Sequence, residues 1–186
     1  MYPGKGKDLQ HDARLVLPYF DRERKIVAVT GRNLGSTGIR YITIRADENG
    51  RKLVYGLNRV DIEKRVYVVE GPLDSFFLPN AIASGDANLI AAADVCSARH
   101  VTLIFDNEKR NREVIFQMEK AIKLGHQICV WPSTVTEKDL NQMIQAGRTE
   151  REIQEIIDSN TVSGLSALVQ LNFWKRITPT HKGVLL

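Results

Sequence analysis

The sequence predicts an α/β fold: a parallel sheet flanked by helices on both faces, preceded by a small basic β-rich unit and followed by a helical tail. Three observations carry that prediction. Short apolar runs of β-favouring residues, Val66-Tyr67-Val68-Val69 and Val101-Thr102-Leu103-Ile104-Phe105, each end in an acidic residue, Glu70 and Asp106. From Val66 onward such runs alternate with helical patterns, as parallel strands joined by helices must. Before Val66, short strands succeed one another with only turn residues between them. In a parallel sheet the carboxyl ends of neighbouring strands form the crevice where ligands bind. Neighbouring strands lie about 4.8 Å apart, so Glu70 and Asp106 are placed to share one cation.

The elements run in order along the chain. Residues 1–12 are rich in Gly, Lys and Asp and read as a loose lead-in. Strands are expected at 15–17, 26–30, 41–44 and 53–55, with turns at 21–25 and 47–50, as a small antiparallel sheet. Residues 66–70 form the first strand of the second unit. A short helix over 73–78 comes after it, opened by Pro72 near its first turn. A strand at 81–84 comes next, then 101–105, whose unbroken apolar run suits burial on both faces. The helix over 112–124 has Val114, Ile115, Met118, Ala121 and Ile122 on one stripe and Gly125 just past its end. A strand over 127–131 and helices over 137–146 and 151–157 complete the alternation, the last opened by the capping box Thr149-x-x-Glu152. Residues 164–177 read as an amphipathic helical tail. The expected division is 1–65, 66–147 and 148–186.

Charge is unevenly spread. Residues 1–66 hold 14 basic and 8 acidic side chains, the remainder 12 and 14. A basic front beside an acidic, metal-competent half suits nucleic acid, although a solvated basic surface has the same composition. Cys96 and Cys129 are isolated, which argues against a zinc ribbon or a disulfide framework and fits a reducing cytoplasm. The four histidines lack metal-ligand spacing. No apolar run reaches the roughly 20 residues that span a bilayer, and the amino terminus lacks a signal-peptide core, so a soluble protein without a membrane partner is expected.

Two acidic groupings carry the chemistry. Gly71 after Glu70 allows close backbone approach, and Asp74 sits about one helical turn along, facing the same crevice. Asp106 and Glu108, two apart, share a face if the extended backbone continues that far. Carboxylates are natural ligands for Mg²⁺, and burying several together without a cation is costly. The alternative for 106–108 is a polar strand-to-helix turn in which Asp106 or Asn107 acts as a cap. Asp139 reads equally as a helix cap, and Lys138 as a phosphate contact or a surface lysine. Lys109, Arg110 and Arg112 fit either a triphosphate contact or a solvated turn.

Glu70-Gly71-x-x-Asp74, Asp106-x-Glu108 and Lys138-Asp139-x-Asn141 resemble successive motifs of the Toprim domain, shared by bacterial-type primases, topoisomerases and some nucleases. Residues 70–75, 105–108 and 138–143 are most similar to the primases of T-even-type bacteriophages. Residues 14–18, 31–32, 40–43 and 55–57 resemble the basic subdomain that precedes Toprim in bacterial-type primases. Bacterial primases carry Asp where this chain has Glu108, and their zinc-ribbon cysteines have no counterpart here.

The resemblance implies template-directed synthesis of RNA primers on single-stranded DNA by Mg²⁺-dependent nucleotidyl transfer, with Mn²⁺ as the alternative ion. It assigns catalysis to Glu70, Asp106 and Glu108, with Asp74 and Asp139 supporting the metal. Arg32, Arg40, Lys52 and Lys138 fall to nucleotide and DNA binding, and Tyr41 to base stacking or plain packing. Partners implied are the template, nucleoside triphosphates, a replicative helicase and a separate zinc-ribbon polypeptide, in the cytoplasm of the cell or of a phage's host. Two rivals share these residues: a Toprim nuclease using water as nucleophile, and a non-catalytic DNA- or helicase-binding fragment of a split primase.

Overall fold

The computed structural model describes residues 13–36, 38–46, 50–86 and 88–176. The lead-in over 1–12, most of the 47–50 turn and the end of the tail at Ile177 lie outside the described residues.

Strands β1 (Arg14–Phe20), β2 (Ile26–Asn33) and β3 (Tyr41–Arg45) form the expected antiparallel sheet, in that order. Asp21 makes the first turn by accepting the Lys25 backbone N–H at 2.9 Å, a local bond that short acidic side chains favour. Leu17, Tyr19, Ala28 and Thr30 are buried along β1 and β2, whereas β3 is largely exposed. The hydroxyls of Thr30 and Thr43 meet at 2.8 Å across β2 and β3.

The larger sheet is assembled from β4 (Val54–Tyr55), β5 (Val66–Val69), β6 (Ala81–Ser84), β7 (Val101–Ile104), β8 (Gln127–Cys129) and β9 (Thr161–Val162). Its order is β4-β6-β5-β7-β8-β9, with the middle four strands parallel and the two outer strands antiparallel. Residues 53–55, expected in the small sheet, therefore belong to the large one. Their side chains are buried, and the Gly85 N–H donates to Leu53 O at 2.9 Å, so β6 offers them both core and ladder. Every residue of β5 and β6 is buried, as the unbroken apolar runs require.

Helices α1 (Leu89–Cys96), α2 (Arg112–Lys123), α3 (Leu140–Gln145), α4 (Glu150–Ser159) and α5 (Gly164–Trp174) flank the sheet. Helix α1 was not expected. It is a run of small apolar residues buried on several sides, so it has no polar stripe to read, and its local signal is the cap Asn88. Helix α2 is capped by Asn111 and not by Asp106 or Asn107, and Gly125 beyond it takes φ +86°. The Thr149–Glu152 capping box of α4 is present in both directions. Helix α3 starts at Leu140, later than expected, because Asp139 is its cap and Glu137 is held by Arg148 at 2.9 Å. Between β5 and β6 the expected short helix tightens to one 3₁₀ turn, Asp74–Phe76.

The tail helix departs from expectation in kind. Ala167, Leu171 and Trp174 are buried, yet Leu165 and Phe173 are 77% and 73% exposed. With apolar residues on nearly every side, α5 has no polar face and is not amphipathic. Both cysteines are buried, as small core residues. No helix among the described residues is long and apolar enough to cross a membrane.

The two sheets are fastened to each other. Tyr19 of β1 packs edge-on against Tyr55 of β4 at 5.4 Å between ring centres. Arg22, in the β1–β2 turn, donates to the Cys96 carbonyl at the end of α1, and Lys52 pairs with Asp86 beyond β6. Close approach at this seam requires Gly85: a Cβ there would lie 2.7 Å from Leu53 Cβ and 2.9 Å from Leu53 O. Gly85→Ala is expected to lower unfolding free energy by about 2 kcal/mol, read as a reduced midpoint in urea with an unchanged slope.

Candidate active site

The strand registers bring the acidic residues together. Val69 lies opposite Ile104, so β5 and β7 leave the sheet side by side and deliver Glu70 and Asp106 to adjacent positions. Glu70 Oε1 accepts the Asp106 backbone N–H at 3.0 Å, so one carboxylate fixes the neighbouring strand end. Asp74 comes next in the 3₁₀ turn, and its Oδ1 accepts the Asn141 N–H at 2.9 Å, tying this segment to the start of α3. Gly71 leaves room for it: a Cβ there would lie 2.6 Å from Asp74 Oδ2. Asp139 Oδ1 accepts the Gln142 N–H at 2.8 Å as the cap of α3, so the capping alternative is realised while its carboxylate still lines the site.

Lys138 bridges the second grouping. Its Nζ lies 3.1 Å from Glu108 Oε1 and 3.4 Å from Asp106 Oδ2. Asn111 Nδ2 donates to the other Glu108 oxygen at 2.7 Å. Asp106 and Glu108 thus both reach one ammonium, although β7 ends at Ile104 and the Glu108 N–H donates to Asp106 O at 2.8 Å, so a tight turn and not the expected extended backbone brings them there.

Burial and crowding act on these groups in different directions. Asp106 is pushed up from its ordinary 3.8 to about 7, first by burial and then by the Glu70 charge, with Lys138 acting against both. Asp74 is pushed up to about 6 by burial, then pulled back by the Asn141 N–H and raised again by Asp139. Glu70 is also raised, chiefly by burial, against the Asp106 N–H bond. For Glu108, burial acts upward, but hydrogen bonds from Asn111 and Lys138 together outweigh it and hold the carboxyl low. The deeper carboxyls therefore resist ionisation, while the outer one stays charged.

These residues face a cleft of about 400 Å³ between the two sheets. Glu70, Asp74, Asp106, Lys138 and Asp139 line one wall; Tyr19, Thr30, Arg40, Tyr41 and Thr43 line the other. Arg32 lies in an adjoining groove that it shares with Arg40 and Asn141. The guanidiniums of Arg32 and Arg40 stand 5.9 and 5.6 Å from the centre of the Tyr41 ring. Glu108 opens instead on a neighbouring groove beside Lys109, Arg110 and Arg176. Lys52 reaches the cleft only through Asp86, which lines it. Asp86 was missed in the sequence, although an acid two residues past the β6 run repeats the signal that singled out Glu70 and Asp106. Among the described residues, no three His, Cys, Asp or Glu side chains form a ready metal cage.

No family model matches the chain. It is 34% identical over 178 residues to the DNA primase of Enterobacteria phage T4, an alignment covering 94% of this chain and 51% of the relative. The Aquifex aeolicus primase, solved with its zinc-binding and RNA polymerase domains, is similar with a TM-score of 0.66 and 22% identity, over 91% of this chain and 46% of that one. A DnaG primase catalytic domain bound to single-stranded DNA gives a TM-score of 0.65 and 19% identity, over 84% and 55%. The fold is that of the primase catalytic core. The resemblance to phage primases reaches beyond the motifs that suggested it, and the chain spans about half the length of the phage relative.

Asp106 opposes folding at neutral pH. Its folded pKa lies above the unfolded value near 3.8, so the folded state retains a proton that the unfolded state has released. Stability from this group is full below pH ~4 and is lost as pH rises through about 7. Asp106→Asn is therefore expected to stabilise the metal-free protein by about 1 kcal/mol at pH 8, after allowance for the lost Lys138 contact. The gain should vanish near pH 4, as thermal melts at the two pH values will show.

Proposed function

We propose that this chain is the catalytic core of a DNA primase, synthesising RNA primers on single-stranded DNA by metal-dependent nucleotidyl transfer. The observation that carries this reading is the pairing of Glu70 with Asp106 at adjacent strand ends, facing a basic sheet across one cleft. The donor set suits a hard divalent cation. Mg²⁺ binds through one or two carboxylates and completes its shell with water and substrate phosphates, so a closed protein cage is not required. The Lys138 ammonium already marks a place for positive charge between Asp106 and Glu108. Glu70, Asp106 and Glu108 would hold Mg²⁺, or Mn²⁺, with Asp74 and Asp139 supporting. Bound there, the ion would supply charge to neutralise the reacting phosphates.

The protein's own groups do the rest of the positioning. Lys138 is long enough to turn from the carboxylates to a nucleotide phosphate. Arg32 and Arg40 offer sequence-independent phosphate contacts, and the Tyr41 ring beside them offers a plane for a base. Lys52 acts at the rim, where it neutralises Asp86. In this reading residues 1–65 contact template, 66–147 carry the metal and nucleotide, and 148–186 extend the core. A replicative helicase and a separate zinc-ribbon polypeptide would complete the system, in the cytoplasm of the cell or of a phage's host.

The test is incorporation of labelled ribonucleotides on single-stranded DNA with Mg²⁺, alone and with a helicase partner. Template-dependent product is expected, falling by about a hundredfold in Asp106→Asn. Strand scission in place of incorporation would establish the nuclease instead, and DNA binding without either would establish a non-catalytic module. Arg40→Ala is expected to weaken binding equally across template sequences and to reduce the slope of log affinity against log salt by about 0.7.

A further inference from the structure

Asn107 lies between two candidate ligands, Asp106 and Glu108, yet bonds to neither side chain. Its backbone N–H donates to Lys138 O at 2.7 Å. Its Nδ2 donates to Val135 O and Glu137 O, each at 3.0 Å. Its Oδ1 accepts from Trp174 Nε1 at 3.3 Å. Indole N–H is a donor only, so Trp174 fixes which way the amide points and directs both Nδ2 hydrogens at the two carbonyls.

Three of the four bonds have one geometric effect: they pin residues 135–138 against the end of β7, while the Trp174 bond sets the amide that makes two of them. On the far side the same loop is held by Arg148 on Glu137 and by Lys138 N–H donating to Gln142 Oε1 at 3.0 Å. A lysine stem is flexible, and fixing its ammonium between two carboxylates requires a fixed backbone beneath it. We propose that Asn107 is a positioning residue that holds Lys138 between Asp106 and Glu108, an inference that rests on the primase reading of the acidic site. In that place the ammonium neutralises the carboxylates until a cation enters, and it competes with that cation for them.

The proposal separates two quantities that simple structural damage would lower together. In Asn107→Ala, Mn²⁺ binding followed by electron paramagnetic resonance is expected to tighten about threefold, because the competing ammonium is released. Ribonucleotide incorporation is expected to fall about tenfold, because Lys138 no longer meets the nucleotide in place. Lys138→Ala should reproduce both changes, and the double variant should be no worse than either single one. Amide hydrogen exchange over 132–140 should quicken by about tenfold in Asn107→Ala, with β5 and β7 at wild-type protection. If Asn107→Ala loses protection throughout the sheet, Trp174→Phe carries the test, with the same changes in smaller degree. Weaker Mn²⁺ binding, additive effects with Lys138→Ala, or unchanged loop exchange in a folded variant would overturn the proposal. Wild-type protein that incorporates no nucleotide would sink the primase reading alone, since metal binding and exchange still decide the role of Asn107.

Discussion

The constraint on which the structure depends is the cost of gathering carboxylates in a place that water reaches poorly. Glu70, Asp74 and Asp106 are each drawn upward in pKa mainly by burial, and Asp106 further by the Glu70 charge. Nothing in a stable apolar core would select that arrangement, since an uncompensated buried charge costs several kcal/mol. Backbone N–H donors meet part of the cost, that of Asp106 for Glu70 and that of Asn141 for Asp74, while the Asp106 carboxyl itself has the Lys138 ammonium. The Glu70 bond also joins the end of β5 to that of β7, and the Asp74 bond joins the 3₁₀ turn to α3.

The second sheet gains its meaning from this charge. Across the cleft, β2 and β3 present threonines, Tyr41 and Arg40 to the acidic wall. The fastening of the sheets through Tyr19, Tyr55, Arg22 and the Lys52–Asp86 pair sets the width of the cleft independently of any ligand. Lys138 and Asn107 work from the acidic side, where an ammonium between Asp106 and Glu108 stands on a loop that Asn107 ties down.

Much of this was legible in the sequence, for physical reasons that differ between elements. Buried parallel strands write themselves as continuous apolar runs, so β5 and β7 are plain in the sequence, the acids at 70 and 106 with them, while β6 is a weaker signal. The Thr149–Glu152 box is a contact over three residues and could be read directly. Helix α1 could not, because a helix buried on several sides has no period. The destination of residues 53–55 was also hidden, since an apolar triplet does not say which sheet will pair with it. Asn107 was read as a possible cap; its side-chain partners lie 28, 30 and 67 residues away, beyond any local pattern. Asp86 was within reach, by applying to β6 the rule already applied to β5 and β7.

The outer strands of the large sheet have a bearing on behaviour in solution. Strands β4 and β9 contribute only two residues each, both antiparallel to their neighbours, and β4 packs beside the small sheet. An open parallel edge is a template for another chain, and four parallel strands with long connections are slow to assemble. Very short border strands leave little unpaired backbone on which a second molecule can add. The large sheet thus carries its own protection against edge-to-edge aggregation, at its borders rather than at the strand ends that hold its chemistry.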